Sequence, residues 1–248
     1  MDQFYTNPKI ALECISKIKE CIPNFIEYTW IEPSAGKGSF LVPGAIGLDI
    51  DPKVDSITKI DFLEWNPPNE KCLLYGNPPF GRQSSLAKKF IRKGCQFADI
   101  VAFILPRSFM KPSMNSVFDP YFHCIHSSEL PTNSFEYENK EKDVPCIFQI
   151  WLKKDFTREK EEKIPASGFK YVKKDWDIAI RRVGINAGKC TLLNPSPQSH
   201  YFLKFEEYNP EIIEKINQHI FPSNTVGPRS LSKSEINIVL NSITQRTD

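Results

Sequence analysis

The residues best equipped for chemistry stand together at Asn77-Pro78-Pro79-Phe80. Before them, Cys72-Leu73-Leu74-Tyr75 reads as a short buried strand that stops at Gly76. The two prolines cannot donate to a strand ladder and end it there. The strand tip then presents an amide, a rigid backbone carbonyl and an aromatic face. Asn77 Oδ1 and the Pro78 carbonyl can each accept one N–H, and Phe80 can stack on a planar ring. These parts suit a planar nitrogenous ring held by its exocyclic amine. Such an amine is a weak nucleophile because its lone pair is delocalised into the ring. Two acceptors placed for a tetrahedral nitrogen favour the transition state over the flat ground state. The competing reading is a plain turn, since Asn and Pro are common turn formers.

The flanking elements decide what could position this group. Asn7-Pro8 reads as a helix start, and Ile10, Ala11, Cys14, Ile15 and Ile18 repeat at helical spacing to about Lys19. Phe4-Tyr5-Thr6 ahead of it is either an aromatic cover over a pocket or a hydrophobic staple on the helix. A β-rich stretch, Tyr28-Thr29-Trp30-Ile31-Glu32, runs into Pro33-Ser34-Ala35-Gly36-Lys37-Gly38, a loop whose backbone can approach a ligand closely. The third glycine of a dinucleotide fingerprint would fall at Leu41, and Asp49 comes too early for the usual spacing of about 20 residues. A phosphate-free nucleoside ligand fits this loop better than a pyrophosphate. A second strand ends at Asp49-Ile50-Asp51, where a carboxylate can accept both ribose hydroxyls. A third, 56–60, leads to Asp61-Phe62, an acceptor for an adenine amine beside a ring that could cover it.

A helix over 85–95, a buried strand over 99–105, and β-rich pieces at 122–125 and 145–151 follow. Strands alternating with helices predict an α/β fold with a mostly parallel sheet covered on both faces. In such sheets ligands sit at the carboxyl ends of strands. Glu32, Asp49, Asp61 and Asn77 all fall at predicted strand ends, a more specific pattern than any one of them.

Length and composition bound the rest. With 248 residues the chain can bury a full core and add an appendage. Its 40% hydrophobic and 25% charged content is that of a soluble globular protein, and a net charge of +2 neither marks nor excludes a nucleic-acid partner. The seven cysteines are odd in number and form no Cys-x-x-Cys pair, which predicts reduced thiols in a cytoplasmic or nuclear compartment. His123 and His126 lack a cysteine or carboxylate cluster, so no metal is expected. No 18-residue apolar stretch and no signal pattern is present, so no membrane partner is expected.

Taken in order, Phe4-Tyr5-Thr6-Asn7-Pro8, Glu32-Pro33-Ser34-Ala35-Gly36-x-Gly38, Asp49, Asp61-Phe62 and Asn77-Pro78-Pro79-Phe80 resemble the motifs of S-adenosylmethionine-dependent amino-methyltransferases. The resemblance is to N6-adenine DNA methyltransferases with the cofactor loop before the catalytic motif, and it covers roughly residues 1–153. It implies the class I methyltransferase fold, a seven-stranded sheet with a reversed final hairpin. It also implies that Glu32, Pro33, Gly36 and Gly38 face the methionine part of S-adenosylmethionine, Asp49 and Ile50 its ribose, and Asp61 and Phe62 its adenine. Tyr5 and Thr6 would close over the cofactor, and Asn77, Pro78, Pro79 and Phe80 would hold the target amine. Lys37 departs from the small or polar residue common at its place. Because amino-methyltransferases of RNA share Asn-Pro-Pro-Phe, the motif fixes the chemistry better than the polymer, DNA being favoured and RNA the alternative. Rival readings are a non-catalytic nucleic-acid-binding partner with this fold and, less favoured, a protein glutamine methyltransferase.

From 154 to 248 the composition shifts to a small basic and aromatic appendage, after a charged run through 153–163 that reads as a linker. Phe169-Lys170-Tyr171 through Trp176 interleaves basic and aromatic residues, and a strand then ends at Arg181-Arg182 before a flexible turn over 184–189. Arg181 and Arg182 are the expected polymer contacts, with Arg82, Arg107 and Lys111 helping near the catalytic face. Two tail helices close the chain. One spans 210–220 with Ile213, Ile216 and Ile220 inward and Ile212 beside them, and the other starts at the capping box Ser232-x-x-Glu235. So small an appendage leaves room for a protein partner in target recognition.

Overall fold

The computed structural model describes residues 5–137, 140–142, 144–159, 164–193, 195–221 and 229–244. The chain divides into two compact units, 1–159 and 160–248. The first unit runs β1 (Tyr5–Thr6), α1 (Pro8–Cys21), β2 (Thr29–Glu32), β3 (Ile46–Asp49), β4 (Thr58–Lys59), β5 (Cys72–Gly76) and α2 (Ser85–Phe97). It continues through β6 (Ile100–Pro106), α3 (Pro112–Asn115), β7 (Phe122–Glu129), β8 (Phe135–Tyr137), β9 (Lys140–Lys142) and β10 (Cys146–Lys153). Seven strands form one sheet in the order β4-β3-β2-β5-β6-β10-β7. β4, β3, β2, β5 and β6 are mutually parallel, and β10 runs antiparallel between β6 and β7. That order and that single reversal define the class I methyltransferase fold.

Local sequence explains the elements. Asn7 Oδ1 accepts from Lys9 N (2.9 Å) and Pro8 occupies the first turn of α1, where its missing N–H costs nothing. β5 and β6 are apolar throughout because both faces are covered. Leu74, Val101 and Phe103 pack with Ala87, Phe90 and Ile91 of α2 on one side. Leu73, Tyr75, Ile100, Ala102 and Ile104 pack with Ile10, Cys14, Ile15 and Ile18 of α1 on the other. At Gly94 of α2 a Cβ would meet Leu74 Cδ2 at 2.4 Å, so glycine permits this close helix–sheet approach.

The chain steps outward from β2 to β3 and β4, then returns to β5 and β6 on the opposite side of β2. The strand order therefore reverses between β2 and β5, and the crevice at their carboxyl ends is the ligand position of such sheets. The connection 33–45 contains no helix and is built from turns, as Pro33, Gly36, Gly38, Pro43 and Gly44 require.

Several expectations need amending. β1 pairs antiparallel with β8, and β8 with β9, in a small extra sheet that the sequence did not announce. β7 extends to Glu129, beyond the expected 122–125. The run 154–159 is no free linker: Arg158 donates to the carbonyls of Asn115 (2.9 Å), Phe118 (3.3 Å), Asp119 (2.9 Å) and Phe122, and lies over Trp151. Phe4 and 160–163 lie outside the described residues.

The second unit contains β11 (Phe169–Tyr171), β12 (Ile178–Arg181), β13 (Cys190–Thr191), β14 (His200–Phe205), α4 (Glu211–Gln218) and α5 (Lys233–Thr244). The strands form an antiparallel sheet in the order β11-β14-β12-β13. The Ser232 box caps α5: Ser232 N donates to Glu235 Oε2 (2.8 Å) and Ser232 Oγ accepts from Glu235 N (3.3 Å). In α4, Ile212 and Ile216 are buried, but Ile220 lies beyond the helix end and is 85% exposed, against expectation. The turn over 184–189 is hydrogen-bonded rather than loose, with Ala187 N donating to Gly184 O and Gly188 N to Arg181 O. No helix among the described residues is long and apolar enough to cross a membrane.

Candidate active site

Asn77 leaves β5 immediately after Gly76, which has φ +122°, and a Cβ at Gly76 would sit 3.1 Å from Glu32 Cγ. Glycine adopts this φ without strain and leaves room for the Glu32 side chain. The backbone carbonyl of Asn77 accepts from Ser34 Oγ (3.0 Å), so the glycine loop and the Asn-Pro-Pro-Phe turn are tied together. Asn77 Nδ2 donates to Thr6 Oγ1 (3.1 Å). Because the amide is planar, that bond fixes which end faces Thr6 and turns Oδ1 the other way. Pro78 is buried, while Pro79 and Phe80 are half-buried, and Phe80 packs on the margins of both core clusters. Beyond it Gly81, Gln83 and Ser84 all have positive φ (66°, 53° and 59°). Left-handed backbone at the two non-glycine residues stores about 1–2 kcal/mol each.

The glycine loop is held at both ends. Gly36 N donates to Asp49 Oδ2 (2.7 Å) and Asp51 N to Asp49 Oδ1 (2.8 Å). Each carboxylate oxygen retains a second lone pair for a ligand hydroxyl. At the far end the buried Tyr75 hydroxyl donates to Phe40 O (3.0 Å) and accepts from Val42 N (3.4 Å). Tyr5 lies against the loop, where a Cβ on Gly36 would meet its Cε1 at 2.9 Å, and Lys37 Nζ stands 4.5 Å from the Tyr5 ring centroid. A cavity of about 480 Å³ opens beside this arrangement, lined by Tyr5, Thr6, Lys37, Gly38, Ser39 and Glu136 among others.

Glu32, the last residue of β2, is 2% exposed, and its Oε2 has no hydrogen-bond partner among the described residues. Burial, and secondarily the Asp49 carboxylate, push its pKa well above the ordinary glutamate value. Burial thus favours the neutral form of an acid that stands at the carboxyl end of β2 with one oxygen unpartnered.

Glu32, Ser34, Gly36, Asp49, Thr6 and Asn77 therefore converge on one crevice, but not every expected residue joins them. Phe62 is 1% exposed, with its ring 4.9 Å from that of Phe90 and 6.3 Å from that of Phe97. It is a core residue, and the adenine contact expected of it is not available in this packing. Asp61 caps its own turn, Oδ1 accepting from Leu63 N (2.8 Å). Pro33 is buried under the loop, and Ile50 is 63% exposed beside Asp49. Arg82 follows β5, and Arg107 and Lys111 follow β6, on the same carboxyl edge of the sheet. Arg107 is paired with Glu129 (2.6 Å). Arg181 and Arg182, expected as a joint contact, differ in setting: Arg181 is the exposed last residue of β12, and Arg182 lies beyond the strand and is half-buried. Arg182 donates to Gln198 O (2.8 Å) and lies over the Tyr201 ring.

Ser34 and Tyr75 were not singled out from sequence. A hydroxyl inside the apolar run 72–75 was the available signal for Tyr75, since it must find a partner when buried.

No family model matches the chain, and no curated protein matches it. Solved structures similar to it include a candidate RNA methyltransferase from Pyrococcus horikoshii (18% identity, TM-score 0.46, covering 61% of this chain and 86% of that one). A Thermoplasma acidophilum protein matches at 14% identity and TM-score 0.47, covering 63% and 92%. The 23S rRNA methyltransferase ErmE matches at 14% identity and TM-score 0.44, covering 62% and 71%. The fold stands on its strand order and directions, not on these likenesses.

Proposed function

We propose that this chain transfers a methyl group from S-adenosylmethionine to the exocyclic N6 amine of adenine in DNA. The observation that carries the reading is the convergence, at the β2/β5 crevice, of the glycine loop, the Asp49 carboxylate and an Asn77 amide oriented by Thr6. The residues fit the cofactor. The orphaned Glu32 oxygen suits a cationic group, the positive-φ Gly36 and Gly38 form a cradle without side chains, and Asp49 can accept ribose hydroxyls. When bound, S-adenosylmethionine supplies an electrophilic methyl group on a sulfonium. Asn77 Oδ1 and the Pro78 carbonyl accept the amine's two N–H groups and draw its nitrogen toward tetrahedral geometry, which frees the lone pair for attack. The Phe80 ring holds the base by stacking. In a duplex the adenine must first leave the stack.

Calorimetry tests the cofactor half of this reading. Wild type binds S-adenosylmethionine saturably at one site per chain. Asp49→Ala, which loses both the ribose acceptor and the Gly36 tether, binds it at least tenfold more weakly. No saturable binding by wild type would remove the enzyme and leave a non-catalytic partner; unchanged affinity in Asp49→Ala would remove the ribose role.

Thr6 gives a finer test, because the resemblance puts it on the cofactor and the hydrogen bond puts it on Asn77. Thr6→Val keeps the shape and deletes the acceptor. Loss of one such bond, about 1 kcal/mol, lowers kcat roughly fivefold with cofactor affinity held, and Thr6→Ser restores it. Weakened cofactor binding with kcat intact would return Thr6 to the cofactor.

A further inference from the structure

The sheet of the second unit has two faces of opposite character. Strand alternation sends Phe169, Ile178, Ile180, Leu203 and Phe205 to the face that α4 and α5 cover with Ile212, Ile216, Ile236 and Leu240. The register places a different set on the other face: Lys170 opposite Lys204, Ala179 opposite Phe202, and Arg181 opposite His200. Trp176, just before β12, joins them with its ring centroid 5.5 Å from that of Phe202. Both rings are half-buried, whereas Lys170 and Arg181 are exposed. Of the two acids flanking Trp176, Asp175 is exposed, and Asp177 pairs with Lys204 (2.7 Å) and accepts from Phe205 N (2.8 Å). Arg181 spends Nε on Val183 O (3.1 Å), one of its five donors. Two half-buried aromatic rings thus lie between exposed cations on this face, over the buried Ala179.

We propose that this face binds single-stranded nucleic acid, with bases stacked on Trp176 and Phe202 and phosphates paired with Lys170 and Arg181. The inference rests on the reading that the polymer is nucleic acid and adds which form of it is held, and where. Stacking needs bases with open faces, which a duplex hides. Reading a duplex needs an element that enters a groove, and α4 and α5, the helices among the described residues of this unit, pack on the opposite face. Stacking is also tolerant of sequence, in keeping with an appendage too small for elaborate readout.

Fluorescence anisotropy on the full chain tests this, using end-labelled oligonucleotides of about 12 residues as single strands of DNA and RNA and as duplexes. Wild type binds single strands at least tenfold more tightly than the matched duplex. Trp176→Ala and Phe202→Ala each lower single-strand affinity about tenfold. Lys170→Ala and Arg181→Ala, at exposed side chains, each reduce the slope of log affinity against log salt by about 0.7. A duplex bound as tightly as the single strand, no single-strand binding by wild type, or unchanged affinity and slope in the folded variants would overturn the proposal. Cofactor affinity and methyl transfer are read on the same proteins. Transfer that survives with no effect of these variants on binding removes the platform and keeps the enzyme. Single-strand binding without transfer keeps the platform and removes the enzyme.

Discussion

Asn77→Ala abolishes methyl transfer, lowering kcat by at least about 10³-fold, while S-adenosylmethionine affinity stays within about threefold of wild type. The separation follows from placement. Asn77 sits beyond β5 with its amide turned by Thr6, whereas the groups proposed to hold the cofactor belong to the loop after β2 and to the tip of β3. Alanine deletes an acceptor that acts mainly once the amine becomes tetrahedral, so the loss falls on kcat rather than on binding. The backbone tie from Ser34 Oγ to Asn77 O does not use the deleted side chain and keeps the crevice assembled. Asn77→Asp keeps the acceptors, and the Thr6 hydroxyl can turn to donate to it, so it retains far more activity than alanine. Substantial transfer by Asn77→Ala, measured at saturating cofactor, would take the amine-holding role away from this residue.

Glu32→Gln produces the second large effect, and it divides stability from function. The folded-state pKa of Glu32 is raised, so its native environment favours the neutral acid. Its contribution to stability is therefore whole below the unfolded-state value near 4.5 and is lost progressively as pH rises toward the raised folded value. Each unit by which the pKa is raised costs about 1.4 kcal/mol once the group must ionise or hold its proton against the solution. Glutamine has the shape of the neutral acid and no proton to lose. The variant and wild type accordingly melt together near pH 4, and the variant becomes the more stable of the two as pH rises above about 5. Cofactor affinity moves the other way, at least tenfold weaker in Glu32→Gln, because the cationic cofactor proposed for this crevice then finds no charge to pair with. In wild type, binding then expels a proton and tightens with pH over the range in which the free protein loses stability. Parallel thermal melts and calorimetry between pH 4 and 8 check both trends. A variant that melts like wild type throughout, or binds the cofactor equally well, would make Glu32 a packing residue only.

Much of the crevice could be read before any coordinates because strand ends are written in local sequence. Runs of β-formers stopped by Gly, Pro or Asp mark where Glu32, Asp49 and Asn77 must emerge, and the order reversal at β2 brings two of them together. What stayed hidden depends on contacts distant in sequence. β1 has two residues and carries no periodicity, so its pairing with β8 leaves no trace in the chain. Phe62 neighbours a polar strand-end residue, but the Phe90 and Phe97 rings of α2 compete for it and win. Arg181 and Arg182 read as a joint cationic site, yet β12 ends at Arg181 and Arg182 lies over the Tyr201 ring. Ile220 keeps helical spacing with Ile216, yet α4 ends at Gln218. Trp176 and Phe202 are neighbours only through the β12–β14 register.

Transfer of labelled methyl from S-adenosylmethionine into matched DNA, RNA and protein pools, followed by nucleoside analysis, decides whether the chain methylates adenine N6 in DNA, with Asn77→Ala run beside wild type. Wild type places label in N6-methyldeoxyadenosine, and that label disappears in Asn77→Ala. Label confined to RNA nucleosides would keep the amine chemistry and replace the polymer. Label in no nucleoside despite saturable cofactor binding, or label that survives Asn77→Ala undiminished, would contradict the proposed function.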